Sequence, residues 1–286
     1  MTMPPEQDWS GAPLLTPEEL QRVCQLLYLR TGMTFNEQKR YYIERRIKDR
    51  VQKLGLNSVS SYLRMIFIQP AEMEALINAF TINETYFYRE ESQLAALGRS
   101  LLPLVVSKRR PGELVRIWSL PCASGEEPYS IAIWLLENWP LVDAWHIEIV
   151  GSDIDTDALA RARAGRYGER ALARLPADIR ERYFRPESGQ QRDREIIDDL
   201  KESVLFTQVN LIDPASVATE RPFDIIFCRN LLIYFDDAAR QVAAANLFNR
   251  LCPGGFLCVS HTESMTHIDD RFEMVRFDDA IVYRRR

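Results

Sequence analysis

Two adjacent carboxylates, Glu126 and Glu127, follow Gly125 in the segment VRIWSLPCASGEEPYS (115–130), which reads as a buried strand, a tight loop and a helix start. The β-branched and aromatic run Val115, Ile117, Trp118 gives way to small residues at Ser119, Ala123, Ser124 and Gly125, and Pro128 sits where a first helical turn tolerates it. Backbone N–H groups at a helix start attract anions, but paired carboxylates there repel a pyrophosphate. The loop therefore calls for a partly cationic nucleotide. S-adenosylmethionine, with an adenosine, a sulfonium, an ammonium and one small carboxylate, meets that requirement.

Other chemistries find little support. No G-x-G-x-x-G follows a strand and no G-x-x-x-x-G-K-[ST] occurs, which removes the dinucleotide and P-loop readings. His146 lies within a strand and His261 and His267 follow a late one, at no metal-ligand spacing, so no metal is expected. The five cysteines, Cys24, Cys122, Cys228, Cys252 and Cys258, form no C-x-x-C pair, which argues for a reduced, cytoplasmic protein. Cys122, although in the loop, has no base nearby in sequence and reads as packing. A net charge of −5 gives no global basic field for nucleic acid. The first residues are polar and Pro-rich, and no apolar run approaches the ~20 residues of a spanning helix, so neither export nor membrane insertion is expected.

The elements that must position the loop follow from the apolar spacing. With 286 residues, 46% of them apolar, one catalytic-sized domain and a smaller one are expected. Residues 1–15 read as a flexible N-terminus and 16–80 as a small all-α domain. Its first helix starts at the T-P-E-E of Thr16 and closes near Gly32; a second spans about 37–54, and shorter ones cover 58–65 and 71–80. On the second helix Arg46, Arg50 and Lys53 recur at i, i+4, i+7, with Arg45 and Lys48 beside them. That stripe is either a solvated face diluted by Glu44 and Asp49 or a docking surface for an acidic partner. Residues 81–112 read as a linker and connecting helix: TINETYFYREE (81–91), an aromatic and polar connector of no clean period, then a helix over about 93–107 and a basic Pro-Gly break.

Residues 113–286 alternate strand and helix, an α/β pattern. After the helix at 128–138, WHIEIVGSDID (145–155) ends in acids; Asp153 is the candidate for the ribose hydroxyls, while Asp155, Thr156 and Asp157 read as the cap and first turn of the next helix. The alternation breaks at 166–203, an apparent insertion with a helical piece at 176–183, a polar turn at 186–194 and a weak strand at 195–197. It resumes with strands at 204–210, ending in Asn210, and at 223–230, ending in Arg229 and Asn230. A helix at 238–251 is expected to stop at Cys252-Pro253-Gly254-Gly255, before the strand FLCVS and a hairpin of 272–277 with 280–283. Gly125, Asp153, Asn210 and Asn230 all fall at carboxyl ends of strands, where such sheets bind ligands.

Four segments, TINETYFYRE at Thr81, WSLPCASGEEPYSIA at Trp118, GSDIDTDAL at Gly151 and FDIIFCRNLLIYF at Phe223, together resemble the bacterial chemotaxis receptor methyltransferases, S-adenosylmethionine-dependent protein-glutamate O-methyltransferases. The resemblance covers about 20–283. It implies a Rossmann-like methyltransferase domain with a small β-subdomain insertion, preceded by an all-α domain. It further implies cofactor contacts from Asn83, Thr85, Arg89, Glu127, Asp153, Asn210, Leu211, Arg229 and Asn230, with Arg89 and Tyr234 facing the acceptor glutamate. Glu127 would face the ammonium of the cofactor and Glu126 the solvent. The basic helix, through Arg46, Lys48, Arg50 and Lys53, would grip the receptor's cytoplasmic domain, although Asp49 and Gln52 interrupt the family's more continuous basic pattern. The insertion would take a receptor C-terminal peptide, the product would be S-adenosylhomocysteine, and the protein would act as a monomer. Two other readings remain at this stage: a non-catalytic S-adenosylmethionine-binding signalling module that docks on an acidic coiled coil, and a nucleic-acid methyltransferase gripping phosphates through 39–53.

Overall fold

The computed structural model describes residues 14–186 and 193–286. These fall in two compact units, one ending at Thr81 and one spanning Ile82–Arg286. Of the expected flexible N-terminus at 1–15, residues 1–13 lie outside the described residues, as does most of the expected turn at 186–194, while Leu15 is buried in the helical core and its N–H donates to Glu44.

The first unit is all-α. Helix α1 (Pro17–Thr31) opens on a capping box, in which the Thr16 hydroxyl accepts from Glu19 N–H and the Glu19 carboxylate accepts from Thr16 N–H, and it closes at Gly32 with φ 74°. After a single 3₁₀ turn at Glu37–Lys39 come α2 (Arg40–Lys53), α3 (Val59–Ile66, capped by the Ser58 hydroxyl) and α4 (Pro70–Phe80, with proline in its first turn). One apolar stripe from each helix meets in a core that includes Leu27, Ile43, Ile47, Tyr62, Leu76 and Phe80.

The second unit opens with α5 (Glu91–Ala96) and α6 (Leu102–Val106), joined without a break by a π-helical turn at Leu97–Leu101. Pro103, lacking an N–H, follows directly on the wide turn. Then come β1 (Leu114–Ser119), α7 (Glu126–Asn138), β2 (His146–Asp153) and α8 (Thr156–Ala164). The insertion contributes β3 (Arg166–Tyr167), α9 (Glu169–Leu172), α10 (Ala177–Tyr183), β4 (Phe184–Pro186), β5 (Arg194–Ile196) and α11 (Asp198–Glu202). The chain returns through β6 (Val204–Gln208), α12 (Pro214–Ala218), β7 (Phe223–Phe227), α13 (Asp237–Arg250), β8 (Leu251–Cys258), β9 (Phe272–Arg276) and β10 (Ile281–Arg285). The main sheet has the order β6-β2-β1-β7-β8-β10-β9, parallel through β8 and antiparallel in the closing hairpin. A separate antiparallel sheet, β3-β5-β4, makes the insertion a β-subdomain.

One expectation is corrected here. Cys252-Pro253-Gly254-Gly255 is the first half of β8, not a loop before it. The ladder with β7 changes register between Phe223 and Ile225, Gly254 lies at φ 78°, and a Cβ on Gly255 would meet the Asp224 carbonyl oxygen at 2.7 Å. The glycines let the strand absorb the irregularity and so remain in the sheet. No helix among the described residues is long and apolar enough to cross a membrane.

Candidate active site

Strand order runs outward from β1 through β2 to β6 on one side and through β7 to β8 on the other, so the switch point lies between the carboxyl ends of β1 and β7. The loops there carry unusual backbone. Among the described residues, the non-glycine residues with positive φ are Tyr88, Glu90, Ala123 and Asn230, and all four lie in the connector, the loop after β1 or the loop after β7. Left-handed conformations of this kind cost of order 1 kcal/mol each and concentrate at functional sites.

The first layer is a set of carboxylates that shape the loops. Asp153, buried at the tip of β2, accepts from Ala123 N–H at 2.8 Å and from Asp155 N–H at 2.9 Å. Burial pushes its pKa up to about 6, against the pull of those N–H donors. Asp155 caps α8 by accepting from Ala158 N–H and also accepts from Asn83 Nδ2 at 2.6 Å, which ties the connector to β2. Gly125, at φ 94°, starts α7 where a Cβ would meet Ala162 Cβ and the Tyr167 hydroxyl at 3.0 Å. Asn210 forms a local turn, its Oδ1 accepting from Ile212 N–H, while Leu211 is buried and its carbonyl accepts from Asn246.

The two opening glutamates are both drawn inward. Glu127 Oε1 accepts from the Ser119 hydroxyl at 2.7 Å and Oε2 from Arg229 Nε at 2.6 Å. Glu126, expected at the solvent face, is instead only 4% exposed, with both oxygens accepting from the Ser124 hydroxyl. The reason is the packing of the α7 start against α8 and Tyr167. Burial raises the Glu126 pKa from 4.5 to about 7. The native state therefore holds a proton that the unfolded chain releases, so the contribution of Glu126 to stability is greatest below pH 4.5 and declines as pH rises toward about 7. Glu126→Gln is expected to flatten that decline, adding on the order of 2 kcal/mol at pH 8 and nothing at pH 4. Urea unfolding at the two pH values reads it directly, and equal effects at both would show that Glu126 does not titrate in this window.

Arg229 is almost wholly buried. Its Nη2 donates to the Arg89 carbonyl at 2.8 Å, while Nη1 stands 3.9 Å from Glu90 Oε2 and makes no hydrogen bond. Arg89 itself is half-buried, donates to the Glu84 carbonyl at 2.7 Å and lies 5.8 Å from the Tyr86 ring. Burial raises the Tyr234 phenol, and Arg89 nearby pulls it down. Thr85 is half-buried in the same connector. The fold thus gathers Asn83, Arg89, Glu127, Asp153, Arg229 and Asn230 around one switch point, while no hydrogen bond among the described residues ties Thr85 to it. An unpartnered guanidinium N–H beside carboxylates is a donor set suited to a zwitterionic amino acid joined to a nucleoside, so these residues fit S-adenosylmethionine.

Four participants were not singled out by sequence: Ser119, Glu90, Ser260 and Glu263. The last two follow β8, and the rule that marked Asn230 after β7 applies equally to them. Cys122 is buried, with its thiol pKa raised by burial, and makes no thiolate near neutral pH.

Within the all-α unit the basic stripe divides. Arg50 donates to both oxygens of Glu72, at 2.8 and 2.5 Å, and Tyr62 donates to the same carboxylate at 2.9 Å. Arg46 lies over the Tyr42 ring, 3.3 Å from its centroid, and donates to the Ala79 carbonyl at 2.6 Å. Both therefore face their own unit, because α4 packs along that side of α2. Arg45 and Lys53 are exposed and Lys48 is half-buried.

Comparison with known proteins places both units in one family. Residues 18–81 match the family described as CheR methyltransferase, all-alpha domain, and 83–281 its SAM binding domain. A chemotaxis protein methyltransferase 2 of Vibrio cholerae is 42% identical over 94% of this chain and 93% of its own length. The chemotaxis protein methyltransferases of Salmonella typhimurium and Escherichia coli are 35% and 34% identical, each over 91% of this chain and 88% and 89% of their own. With both of its units matched, the chain belongs to the CheR methyltransferase family and is an S-adenosylmethionine-dependent methyltransferase.

Proposed function

We propose that the protein methylates glutamate side chains on the cytoplasmic coiled coil of chemotaxis receptors, forming glutamate methyl esters in the cytoplasm. The observation that carries this reading is the match of both units to the CheR methyltransferase family, with a chemotaxis protein methyltransferase 42% identical over 94% of the chain; within the site, the Arg89 charge acts on the Tyr234 phenol. S-adenosylmethionine, when bound, supplies an electrophilic methyl group. An acceptor glutamate, with an ordinary pKa of about 4.3, is already ionised at neutral pH, so no general base is required of the protein.

The residues then work by alignment. Arg89 attracts one carboxylate oxygen by a charge-assisted hydrogen bond, and Tyr234, whose raised pKa keeps its proton in place, donates a second, gentler one. The other lone pairs stay free to attack. Glu127 and Arg229 offer opposite charges to the ammonium and carboxylate ends of the cofactor, and Asp153 and Asn210 are assigned to its nucleoside. Asn83, Thr85, Leu211 and Asn230 complete that set. On the all-α unit, the exposed Arg45 and Lys53 are assigned to an acidic helix, with the half-buried Lys48 beside them and Arg46 and Arg50 supporting them from within. The β3-β5-β4 subdomain is assigned to a receptor C-terminal peptide, and the chain is read as a monomer.

The test is transfer of labelled methyl from S-adenosylmethionine to isolated receptor cytoplasmic domains. Base-labile label on glutamate is expected; tight cofactor binding with no label on any receptor would favour a non-catalytic module. Arg89→Ala and Tyr234→Phe are each expected to lower turnover by ~10- to 100-fold while changing S-adenosylhomocysteine affinity less. Equal losses in turnover and cofactor affinity would remove the orienting role.

A further inference from the structure

We propose that Glu263 is a positioning residue for methyl transfer, the carboxylate that holds the loop of Arg229, Asn230 and Tyr234 in its working conformation. The inference rests on the acceptor-facing reading of Tyr234 given above. Glu263 lies in the loop after β8, yet its carboxylate is bound across to the loop after β7. Oε2 accepts from Asn230 N–H at 2.8 Å and from Ser260 N–H at 3.1 Å, and Oε1 accepts from Ile233 N–H at 3.3 Å. Leu232 N–H points at the same group. A single half-buried side chain thus collects the N–H donors that open the 3₁₀ turn at Leu232–Tyr234, as an anion would at a helix start.

Three further observations make this more than a cap. First, no cation pairs with Glu263 among the described residues, so its charge is satisfied by backbone N–H groups alone, and it cannot move without orphaning them. Second, packing holds only part of the loop: Leu232 and Phe235 are buried, while Ile233 is exposed. Cavities of about 420 Å³ and about 650 Å³ both border Glu263, the smaller also lined by Leu232 and Ile233. Third, the hydrogen bonds continue to the cofactor side. Asn230, at φ 58°, donates from Nδ2 to the Ser260 hydroxyl at 3.0 Å; Ser260 donates to Glu90 Oε1 at 2.9 Å; and Glu90 Oε2 faces Arg229. Glu263 therefore fixes Tyr234 relative to Arg229, which sets how an acceptor lies against the methyl donor. Glutamine is a poor replacement, because its amide nitrogen would turn a donor toward donors.

The experiment uses the full-length protein with Glu263→Gln, alone and combined with Tyr234→Phe. Turnover on a receptor cytoplasmic domain is expected to fall ~10- to 100-fold in Glu263→Gln, with a clearly smaller loss of S-adenosylhomocysteine affinity, because Arg229 keeps its bonds to Glu127 and the Arg89 carbonyl. Tyr234→Phe is expected to cost little more in that background, because a tyrosine already out of place has nothing left to lose. Hydrogen exchange should accelerate in residues 229–235 and not in the α7 start. Turnover within threefold, a fully multiplicative Tyr234→Phe loss, or unchanged exchange in that loop would each overturn the proposal. If Glu263→Gln does not fold, Glu263→Asp, which keeps the charge with shorter reach, gives the same comparisons. Failure of the unaltered protein to methylate any receptor would instead overturn the acceptor assignment, and the exchange measurement would still decide whether Glu263 holds the loop.

Discussion

Arg229→Met is expected to abolish measurable methyl transfer and to lower the stability of the protein by about 3 to 5 kcal/mol, the range for breaking one side of a buried ion pair. Methionine retains the volume of the stem but leaves the Glu127 carboxylate, 11% exposed, with only the Ser119 hydroxyl. It also frees the Arg89 carbonyl, so the connector loses its tie to β7. Cofactor affinity should fall at least ~100-fold, because the residue lost is the cation of the donor set. Urea unfolding and calorimetric titration with S-adenosylhomocysteine measure the two effects. Adding Glu127→Gln to Arg229→Met should recover part of the stability and none of the binding, since the uncompensated charge is gone but the site is not rebuilt. A stability loss under about 1 kcal/mol would mean that Glu127 finds another partner.

The second large effect lies in the all-α unit. Arg50→Met is expected to cost about 3 kcal/mol of stability, again because it strands a buried carboxylate: the Arg50 and Glu72 side chains are 13% and 7% exposed. The double variant Arg50→Met with Glu72→Leu should regain most of that loss, leaving Tyr62 as the one polar group to satisfy. Lys53→Ala, by contrast, removes an exposed charge and should change stability by less than ~0.5 kcal/mol while weakening receptor binding at low salt. Urea unfolding of the full chain with a receptor-binding titration separates the two kinds of residue. If Arg50→Met and Lys53→Ala affected receptor binding alike without loss of stability, the basic stripe would act as one surface.

Sequence periodicity carried the fold a long way. Thr16, Ser58, Asp155 and Gly32 end helices where their side chains or backbone freedom require, and the apolar runs at β1, β2 and β7 are strands because each is buried on both faces. Local rules failed where a residue's environment comes from far along the chain. Glu126 reads as an exposed helix-start charge until α8 and Tyr167 cover it. Arg46 and Arg50 share a stripe with Lys53, but α4, more than 20 residues onward, closes over two of the three. Cys252-Pro253-Gly254-Gly255 has the composition of a turn, yet the partner strand β7 keeps it in the ladder.

The sequence by itself indicated the class of ligand and which residues stand at the strand ends where such sheets bind ligands. Glu126 and Glu127 after a glycine loop exclude a pyrophosphate by charge alone, and Asp153, Asn210 and Asn230 fall at strand ends by pattern alone. The tertiary structure decided which of those charges are free to act. Glu127 is set against Arg229, 102 residues away, and Asn230 against Glu263, 33 residues away. Periodicity describes one element at a time, while the state of a buried charge depends on whatever another element brings to within hydrogen-bond distance.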